Sequence, residues 1–312
     1  ELLVKRDDCT GLAMGGNKVR QLEFYFGDAL AQDADSILIT GAVQSNFVRL
    51  AAAAARKLGM EIDIQLEARV PKTDSAYLNS GNVLLDKLLG AKLHHYPHGE
   101  DEAGADRRLE EIAEQRRSEG KKPYIIHLSP GHKPLGALGY VIAARETLLQ
   151  LAEAGRKVDR FIVPSGSGAT HGGFLFGLRA LGCTVPVTGV CVRRSAELQR
   201  PRIVTRCREI SDLLEMSNPV EDGDVEFDER FLAPGYGRLN PPTAEAIALA
   251  AQNEGLLLDP VYSAKCMAGA IDAARKGRDD ETFLFLHTGG TPALFAYGEG
   301  VLSAISDLSG QA

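Results

Sequence analysis

The sequence predicts an α/β fold made of mostly parallel sheets that are covered by helices on both faces. Short apolar runs alternate with longer amphipathic segments along the 312 residues, which is the order of repeated β-then-α units. The apolar runs are continuous, as in strands that are buried on both faces. The length and the 44% hydrophobic content exceed what one core usually holds, so we expect two domains.

The predicted elements follow this order from the first residue onward. ELLVKRDD indicates a strand that is already under way at residue 1, which leaves a preceding segment open. Later strands are predicted at 35–40, 62–67, 91–96, 123–128, 160–165, 185–192 and 282–288, and helices at 44–59, 75–90, 106–120 and 135–155. The strands from 35 to 128 form one compact unit, a small domain over 21–128. Residues 1–20 and 129–312 form a large domain, and the turn residues of 128–136 mark the crossing point.

The composition argues against several classes of protein. A net charge of −7 provides no basic field for phosphate backbones, so we expect no nucleic-acid partner. None of the apolar runs is long enough to span a membrane, so we expect no membrane partner. The five cysteines are odd in number and lack a C-x-x-C pair, which indicates free thiols in a reducing compartment and a cytoplasmic location.

The clearest candidate for a binding loop is PSGSGATHGG, residues 164–173, between a predicted strand and a helix. Gly166 and Gly168 allow backbone N–H groups to turn inward, and Ser165, Ser167 and Thr170 add hydroxyl donors. The positive end of the following helix dipole favours an anion at the same point. These features predict a phosphate site. A plain βα turn is the alternative, but it explains the crowding of hydroxyls and glycines less well.

A rival interpretation of the same loop is a dinucleotide site. The spacing of Gly166, Gly168 and Gly172 imitates a nicotinamide-binding fingerprint, which requires an acid at the end of the next strand to hold the ribose. Arg193 and Arg194 stand there instead. An NADP-dependent oxidoreductase therefore stays open as a second class of function.

Three further groups of polar residues each follow an apolar run that is predicted to be a strand. Ser45 and Asn46 in GAVQSNF stand at a helix start, where they cap the helix or bind a substrate carboxylate. Tyr262 follows the apolar run 256–258, and Thr288 follows FLFLH. Because ligands collect at the carboxyl ends of parallel strands, the shared position of these groups and the glycine-rich loop predicts one site.

Lys18 stands after two glycines and Asn17 in MGGNKVRQLEF, residues 14–24. Glycines let a backbone come close to a ligand, and a surface lysine would not need them, so we expect Lys18 to meet a flat ligand. His94, His95 and His98 have a spacing that suits no common ligand set, and we expect no metal site there.

Taken in order, these motifs resemble those of one family. They are the lysine after Gly-Gly-Asn, Gln-Ser-Asn, the Ser/Gly/Thr loop, APGYG, DPVYSAK and HTGG. Over nearly its whole length the chain resembles the fold type II pyridoxal-phosphate enzymes of the D-cysteine desulfhydrase and 1-aminocyclopropane-1-carboxylate deaminase family. The resemblance implies two open, twisted, mostly parallel sheets flanked by helices, as in the tryptophan synthase β subunit. It also implies pyridoxal 5'-phosphate as the cofactor and a homodimer as the assembly.

The resemblance implies a role for each motif. Lys18 would bind the cofactor as a Schiff base and take the α-proton of the substrate. Asn46 would meet the phenolic oxygen of the cofactor, and Thr288 its pyridine nitrogen. The implied cofactor-binding residues are Asn17, Lys18, Asn46, Gly166, Ser167, Gly168, Ala169, Thr170 and Thr288. The implied catalytic residues are Lys18, Ser45, Tyr236 and Tyr262, and the implied substrate contacts are Ser45, Asn46, Phe47, His132, Tyr236 and Tyr262.

The implied activity is that of a carbon–sulfur lyase acting on a small amino acid. D-cysteine, converted to pyruvate, hydrogen sulfide and ammonia, is the first expectation. L-cysteate, with loss of sulfite, is the alternative, because a close relative is L-cysteate sulfo-lyase. The deaminase role is disfavoured because Ser263 stands where those enzymes carry a glutamate. Phe47 replaces a histidine of the desulfhydrases, and His132 and Lys133 stand in a turn that is usually rich in glycine and serine. A protein that binds the cofactor without turnover also stays open.

Overall fold

The computed structural model describes residues 1–128 and 131–309, whose strands form two parallel sheets. The strands are β1 (Leu2–Arg6), β2 (Ser36–Ala42), β3 (Glu61–Glu67), β4 (Lys92–Tyr96), β5 (Pro123–Ile126), β6 (Arg160–Ser165), β7 (Val187–Cys191), β8 (Glu226–Asp228) and β9 (Phe283–His287). The helices are α1 (Lys18–Ala31), α2 (Asn46–Lys57), α3 (Ser75–Asn79), α4 (Gly81–Leu88), α5 (Glu102–Ser118), α6 (Leu135–Glu153), α7 (Ala169–Ala180), α8 (Ala196–Leu213), α9 (Pro241–Glu254), α10 (Ser263–Lys276), α11 (Thr291–Phe295) and α12 (Gly298–Ser309).

The order of strands brings distant parts of the chain together. The larger sheet has the order β1-β9-β6-β7-β8, and the smaller sheet has the order β4-β3-β2-β5. Every neighbouring pair is parallel. The first strand pairs with the last, with Leu2 opposite Phe283 and Arg6 opposite His287. The predicted α/β class with parallel sheets is therefore confirmed.

Helices cover both faces of each sheet and bury its apolar side chains. Ile37, Ile39 and Ile64 of the smaller sheet lie in the largest apolar cluster. Phe161 and Val163 of the larger sheet lie in a second cluster, packed between the sheet and the pair α6 and α7. Continuous apolar runs in the sequence are explained by this burial, since both faces of each strand are covered.

Two of the predicted elements are wrong in detail. The run 256–258 is not a strand, because β6 and β9 are already paired on both sides. It connects α9 to α10, with Leu256 and Leu258 buried in the largest apolar cluster and Leu257 48% exposed. The helix predicted over 75–90 is two helices, α3 and α4. The break falls at Gly81, whose φ of +57° lets its backbone lie against Gln44, where a Cβ would be 2.6 Å from Oε1.

The strands of the smaller sheet all lie within 21–128, and those of the larger sheet lie outside that range. The division into domains stays a prediction, since α1 packs mainly on α6 rather than on the smaller sheet. The crossing turn includes residues 129 and 130, which lie outside the described residues. Within residues 1–128 and 131–309, none of the helices has the length and apolar character to cross a membrane. All five cysteines are free, as predicted.

Candidate active site

A cavity opens between the carboxyl ends of the two sheets, the place where ligands gather in parallel α/β folds. Its lining residues are Asn17, Lys18, Gly41, Ala42, Ser45, Asn46, Phe47, Arg69, Leu128, Pro164, Gly166, Ser167, Gly168, Thr170, Arg193, Tyr236, Asp259, Tyr262, Thr288 and Gly289. The structure thus brings together most of the predicted site residues. Ala169 and His132 lie in an adjoining small cavity instead.

Lys18 is placed by a close contact between two loops. Gly289 has a φ of +85°, and a Cβ on it would lie 2.7 Å from the Cα of Gly16. The backbone N–H of Asn17 donates to the carbonyl of Thr288 across this contact, at 3.0 Å. Glycine is therefore required here for one loop to approach the other, rather than for the backbone to approach a flat ligand as the sequence suggested. The contact fixes the start of α1, where Lys18 stands.

The Lys18 amine lies in a largely apolar setting. Its Nζ donates to the Oε1 of Gln21 at 3.1 Å and lies 4.8 Å from the centre of the Phe47 ring. No carboxylate pairs with it among the described residues. Burial lowers the pKa of Lys18 to about 8. A substantial fraction of the amine is therefore neutral, and nucleophilic, near physiological pH.

The glycine-rich loop presents backbone donors at the start of α7. Gly168 precedes that helix with a φ of +98°, and no side chain caps the exposed N–H groups. The Thr170 hydroxyl accepts from the amides of Asn17 at 2.8 Å and Gln21 at 2.9 Å, so its own proton is directed to a further acceptor. A phosphate at this helix start would meet both kinds of donor.

Ser165 does not take part in this loop as the sequence suggested. Its hydroxyl is fully buried and bonds to His171 Nδ1 at 3.1 Å and to the amide of Gln199 at 3.0 Å. Burial also lowers the pKa of His171 to about 3, which keeps the ring neutral. Ser165 therefore braces the back of the loop, because the alternation of side chains along β6 points it away from the cavity.

Ser45 and Asn46 lie at the start of α2 on the opposite wall. The Ser45 hydroxyl accepts from the N–H groups of Phe47 and Val48, at 3.2 and 3.4 Å, so it caps the helix. Its proton stays available to a ligand. The Oδ1 of Asn46 accepts from the amide of Asn82 at 2.8 Å, which leaves the Asn46 amide as a donor. Capping and ligand binding are therefore compatible at this helix start.

A buried arginine that the sequence did not single out supports both walls. Arg49 is fully buried on α2 and donates to Asn82 Oδ1 at 3.1 Å, to the Gly15 carbonyl at 3.2 Å, and to the carbonyl of Ala13. It thus links the loop before Lys18 to the residue that orients Asn46. Its only signal in the sequence is a charged residue within the apolar stretch NFVRLAAAAA.

Two tyrosines close the cavity on the side of α10. The hydroxyls of Tyr236 and Tyr262 are 2.6 Å apart. Tyr262 is held by Asp259, whose Oδ2 accepts the Tyr262 N–H at 2.9 Å. Ser263 is buried and donates to Oδ1 of the same carboxylate at 2.7 Å, so it braces the turn and does not line the cavity. Lys265, another residue that the sequence did not single out, donates to the carbonyls of Leu232 and Gly235 and holds the loop before Tyr236.

The histidine of the crossing turn points elsewhere. His132 stacks on His127, with ring centres 3.7 Å apart and planes 6° from parallel. Ligand atoms of these two rings and of Asp106 lie within 4.8 Å of one another. The nitrogen lone pairs of two parallel stacked rings run side by side and do not converge, so the geometry gives these three residues no common coordination point.

Comparison with known proteins shows which class of enzyme shares this arrangement. The sequence pattern of the family described as pyridoxal-phosphate dependent enzymes matches residues 1–289. The chain belongs to this family. Its cofactor is therefore pyridoxal phosphate, as the resemblance implied, and its fold is fold type II.

Individual relatives of this pyridoxal-phosphate enzyme cover nearly its whole length. It is 42% identical, over 95% of its chain and 89% of theirs, to D-cysteine desulfhydrases of Salmonella choleraesuis (strain SC-B67) and Salmonella paratyphi C (strain RKS4594). A solved structure described as an ACC deaminase homologue is 37% identical, with a TM-score of 0.85, over 97% of this chain and 88% of that one. O-ureido-L-serine synthase, 16% identical with a TM-score of 0.67 over 95% of this chain and 87% of its own, shares the fold.

The cavity of this pyridoxal-phosphate enzyme fits its cofactor. Lys18 offers a partly neutral amine without a carboxylate partner, as attachment of an aldehyde requires. The uncapped start of α7 and the Thr170 hydroxyl could hold the phosphate. The donor amide of Asn46 and the hydroxyl of Thr288 could meet the ring. The nicotinamide alternative is not favoured, because the family to which the chain belongs uses pyridoxal phosphate.

Proposed function

We propose that the enzyme is a D-cysteine desulfhydrase, which converts D-cysteine and water to pyruvate, hydrogen sulfide and ammonia. The observation that carries the proposal is the likeness, at 42% identity over 95% of the chain, to two proteins of that name. The cavity supports it, since a lysine amine, a phosphate-type loop and a pair of tyrosines surround a space for a small amino acid.

Several residues of the cavity have a role in the proposed reaction. Lys18 attaches the cofactor and acts as the base that takes the α-proton. The N–H groups at the start of α7, with Thr170, hold the phosphate. Ser45 and the N–H groups beside it bind the substrate carboxylate. Thr288 and Asn46 hold the cofactor ring.

The reaction is an α,β-elimination. The cofactor, when bound, withdraws electrons from the α-carbon of the substrate. Lys18 removes the α-proton, the bond from the β-carbon to sulfur breaks, and its electron pair leaves with sulfur as hydrosulfide. The lowered pKa of the Lys18 amine suits it to this proton transfer near neutral pH. The remaining three-carbon fragment reacts with water to give pyruvate and ammonia.

The other candidate activities have less support. Ring opening of 1-aminocyclopropane-1-carboxylate would lack an acid next to Tyr262, because Ser263 there is bonded to Asp259. L-cysteate is not named by the relatives reported above. D-cysteine is therefore the first substrate to test.

The decisive experiment offers D-cysteine, L-cysteine and L-cysteate to the cofactor-loaded protein and measures pyruvate, sulfide and sulfite. We expect pyruvate and sulfide in equal amounts from D-cysteine. Lys18→Ala should abolish them, whereas Lys133→Ala, which removes an exposed lysine of the adjoining cavity, should keep them. Borohydride reduction followed by peptide mapping should locate the cofactor on Lys18. Release from L-cysteate alone would overturn the proposal.

We also propose that the enzyme is a cytoplasmic homodimer. Leu84 and Leu88 of α4 and Phe295 of α11 are exposed on two helices that pack together, which gives an apolar surface suited to a second copy. Five free cysteines suit a reducing compartment. Light scattering should give twice the mass of one chain, and Leu88→Glu should reduce it. A monomer at micromolar concentration would refute the dimer.

A further inference from the structure

Four arginines lie where the catalytic cavity meets a second, smaller cavity. Arg69 follows β3, and Arg193 follows β7. Both line the catalytic cavity and the smaller one. Arg202 lines the smaller cavity but not the catalytic one, and Arg194 stands beside Arg193. Such a concentration of guanidinium groups next to an amino-acid site has no role in the reaction as described so far.

The carboxylates around these arginines are unevenly shared and differ in burial. Arg69 donates two hydrogen bonds of 2.8 Å to the carboxylate of Glu67. Glu102 is shared by all three of the others: Arg193 at 3.3 Å, Arg202 at 3.2 Å, and Arg194. Glu100 adds a contact of 3.0 Å to Arg193, but its side chain is 71% exposed and screened by water. Asp106 also lines the smaller cavity and faces His127 and His132.

Two nitrogen atoms of this cluster are buried without an acceptor in the described chain. They are Nε of Arg193, whose side chain is only 9% exposed, and Nη1 of Arg194. Buried donors are nearly always paired in folded proteins, and a charged donor that lacks a partner is especially unfavourable. The cluster therefore keeps two charged donors unpaired next to the catalytic cavity, which Arg193 lines.

Among the described residues, the lining of the catalytic cavity adds no carboxylate with free oxygens to this cluster. Asp259 is the carboxylate in its lining, and its oxygens are taken by the N–H groups of Val261, Tyr262 and Ser263. Arg69 and Arg193 line the catalytic cavity together with Tyr236 and Tyr262. Burial raises the pKa of the Tyr236 phenol, and the charges of the two arginines act against that rise.

We propose that Arg69 and Arg193 form an anion subsite that binds a negatively charged group on the β-carbon of the amino acid. The inference deepens the proposed function, on which it rests. With D-cysteine, the group is the sulfur that departs as hydrosulfide, and the arginines stabilise the charge that it gains. A sulfonate or sulfinate in the same position carries that charge from the start. A free oxyanion such as sulfate shares this chemistry, so the subsite has two possible sources of ligand.

The test is a titration of the holoenzyme, followed by the cofactor absorbance, with D-cysteate and with D-alanine. D-alanine lacks a β-substituent, so it reports on the rest of the site. We expect D-cysteate to bind at least about tenfold more tightly than D-alanine, as a charge-assisted contact allows. Arg193→Gln should remove about tenfold of that preference, and Arg193→Lys should keep part of it. Arg202→Gln is the matched control. It removes another arginine that pairs with Glu102 but does not line the catalytic cavity, so the preference should stay unchanged.

Sulfate separates the two sources of ligand. If sulfate lowers the affinity for D-cysteate but not that for D-alanine, the subsite also binds the free ion. If sulfate lowers neither affinity, the subsite binds only a group that is part of the amino acid. The preference for D-cysteate then still supports the subsite. If Arg193→Gln lowers the affinity for D-cysteate and for D-alanine equally, the proposed subsite is wrong. It is also wrong if the variant lowers the affinity for the cofactor but keeps the preference for D-cysteate over D-alanine. The titration measures binding and not turnover, so its result is independent of the test of the proposed function. The subsite can be confirmed even if D-cysteine is not a substrate, and it can be refuted even if D-cysteine is one.

Discussion

Two arginine networks lie on either side of the catalytic cavity, and they differ in how completely their charges are paired. Below Lys18, Arg20 makes two hydrogen bonds to Asp7, at 3.0 and 2.9 Å, and two to Glu146, at 2.9 and 2.8 Å. Tyr140 donates to Asp7, and Lys5 pairs with Glu146. At the other edge, Arg193 and its neighbours share Glu102 and leave nitrogen atoms without acceptors.

The difference separates a structural network from a binding one. Around Arg20, the geometry is bidentate and both carboxylates are used, which is how a buried ion pair offsets its loss of hydration. This network ties β1, α1 and α6 together beneath the catalytic lysine. The Arg193 cluster keeps two buried donors without a protein acceptor in the described chain, and Arg193 itself lines the catalytic cavity. Removing a carboxylate should therefore destabilise the fold more in the first network than in the second, and only the second should recover when an anion is added.

The largest effect is expected from Asp7→Asn in the paired network. Asp7 is fully buried, and its loss leaves Arg20 with half of its partners. Breaking a buried pair typically costs about 3–5 kcal/mol of unfolding free energy. Denaturant unfolding of the holoenzyme should show this loss. Asp8→Asn is the control, because its partner Arg6 is largely exposed and the pair contributes about 0–1 kcal/mol. Equal losses in the two variants would mean that the network under Lys18 is not a structural support.

A smaller effect is expected from Glu102→Gln in the unpaired cluster. Burial alone would raise the pKa of Glu102, but Arg202, Arg194 and Arg193 outweigh it and hold the pKa below its usual value. Its removal leaves three arginines without their shared carboxylate, and we expect a loss of about 1–3 kcal/mol. Sulfate should restore much of this stability, because an anion replaces the lost carboxylate.

Sulfate should not restore Asp7→Asn, whose site is closed to solvent. Melting temperatures of both variants, with and without sulfate and at matched ionic strength in sodium chloride, check this contrast. A recovery of both variants by sulfate would show a general salt effect and remove the distinction between the networks.

The smallest effect is expected from the acid titration of Glu146. The hydrogen bond from Arg20 is the main reason that the pKa of Glu146 falls to about 2, and Lys5 adds to it. A carboxyl with a lowered pKa stabilises the fold at neutral pH, and this contribution is lost as the pH falls from about 4.5 towards 2. Glu146→Gln should therefore flatten the decline of stability over that window. Glu153→Gln, exposed on the same helix, should leave the decline unchanged. A steep decline in both variants would place the acid sensitivity elsewhere.

The sequence predicted those parts of the molecule that local patterns determine. The order of strands and helices follows from apolar periodicity, and the loop at 164–173 is marked by residue types that few other turns share. The order of motifs identified Lys18, Asn46 and Thr288 as members of one site, although they lie up to 270 residues apart.

Other features depend on contacts that no local pattern contains. Arg49 looks like one more charge on an amphipathic helix, and only the fold shows that it is fully buried under the catalytic loop. The run 256–258 has the composition of a strand, but a sheet with no free edge beside it gives it no partner. In the sequence, Arg193 bears only on the possible nucleotide site. The fold shows that it pairs with Glu102 and lines the cavity with Arg69, and both of these residues belong to the part of the chain that forms the smaller sheet.

The pairing of β1 with β9 also sets the order in which a growing chain can mature. All four strands of the smaller sheet are available once residue 126 has left the ribosome, so that sheet can assemble during synthesis. The loop that carries Lys18 emerges earlier, but its docking surface at Thr288 and Gly289 is among the last parts to be translated. We therefore expect capture of the cofactor to be a late event of biogenesis, since a chain released before residue 283 would carry Lys18 without the strand that pairs with β1.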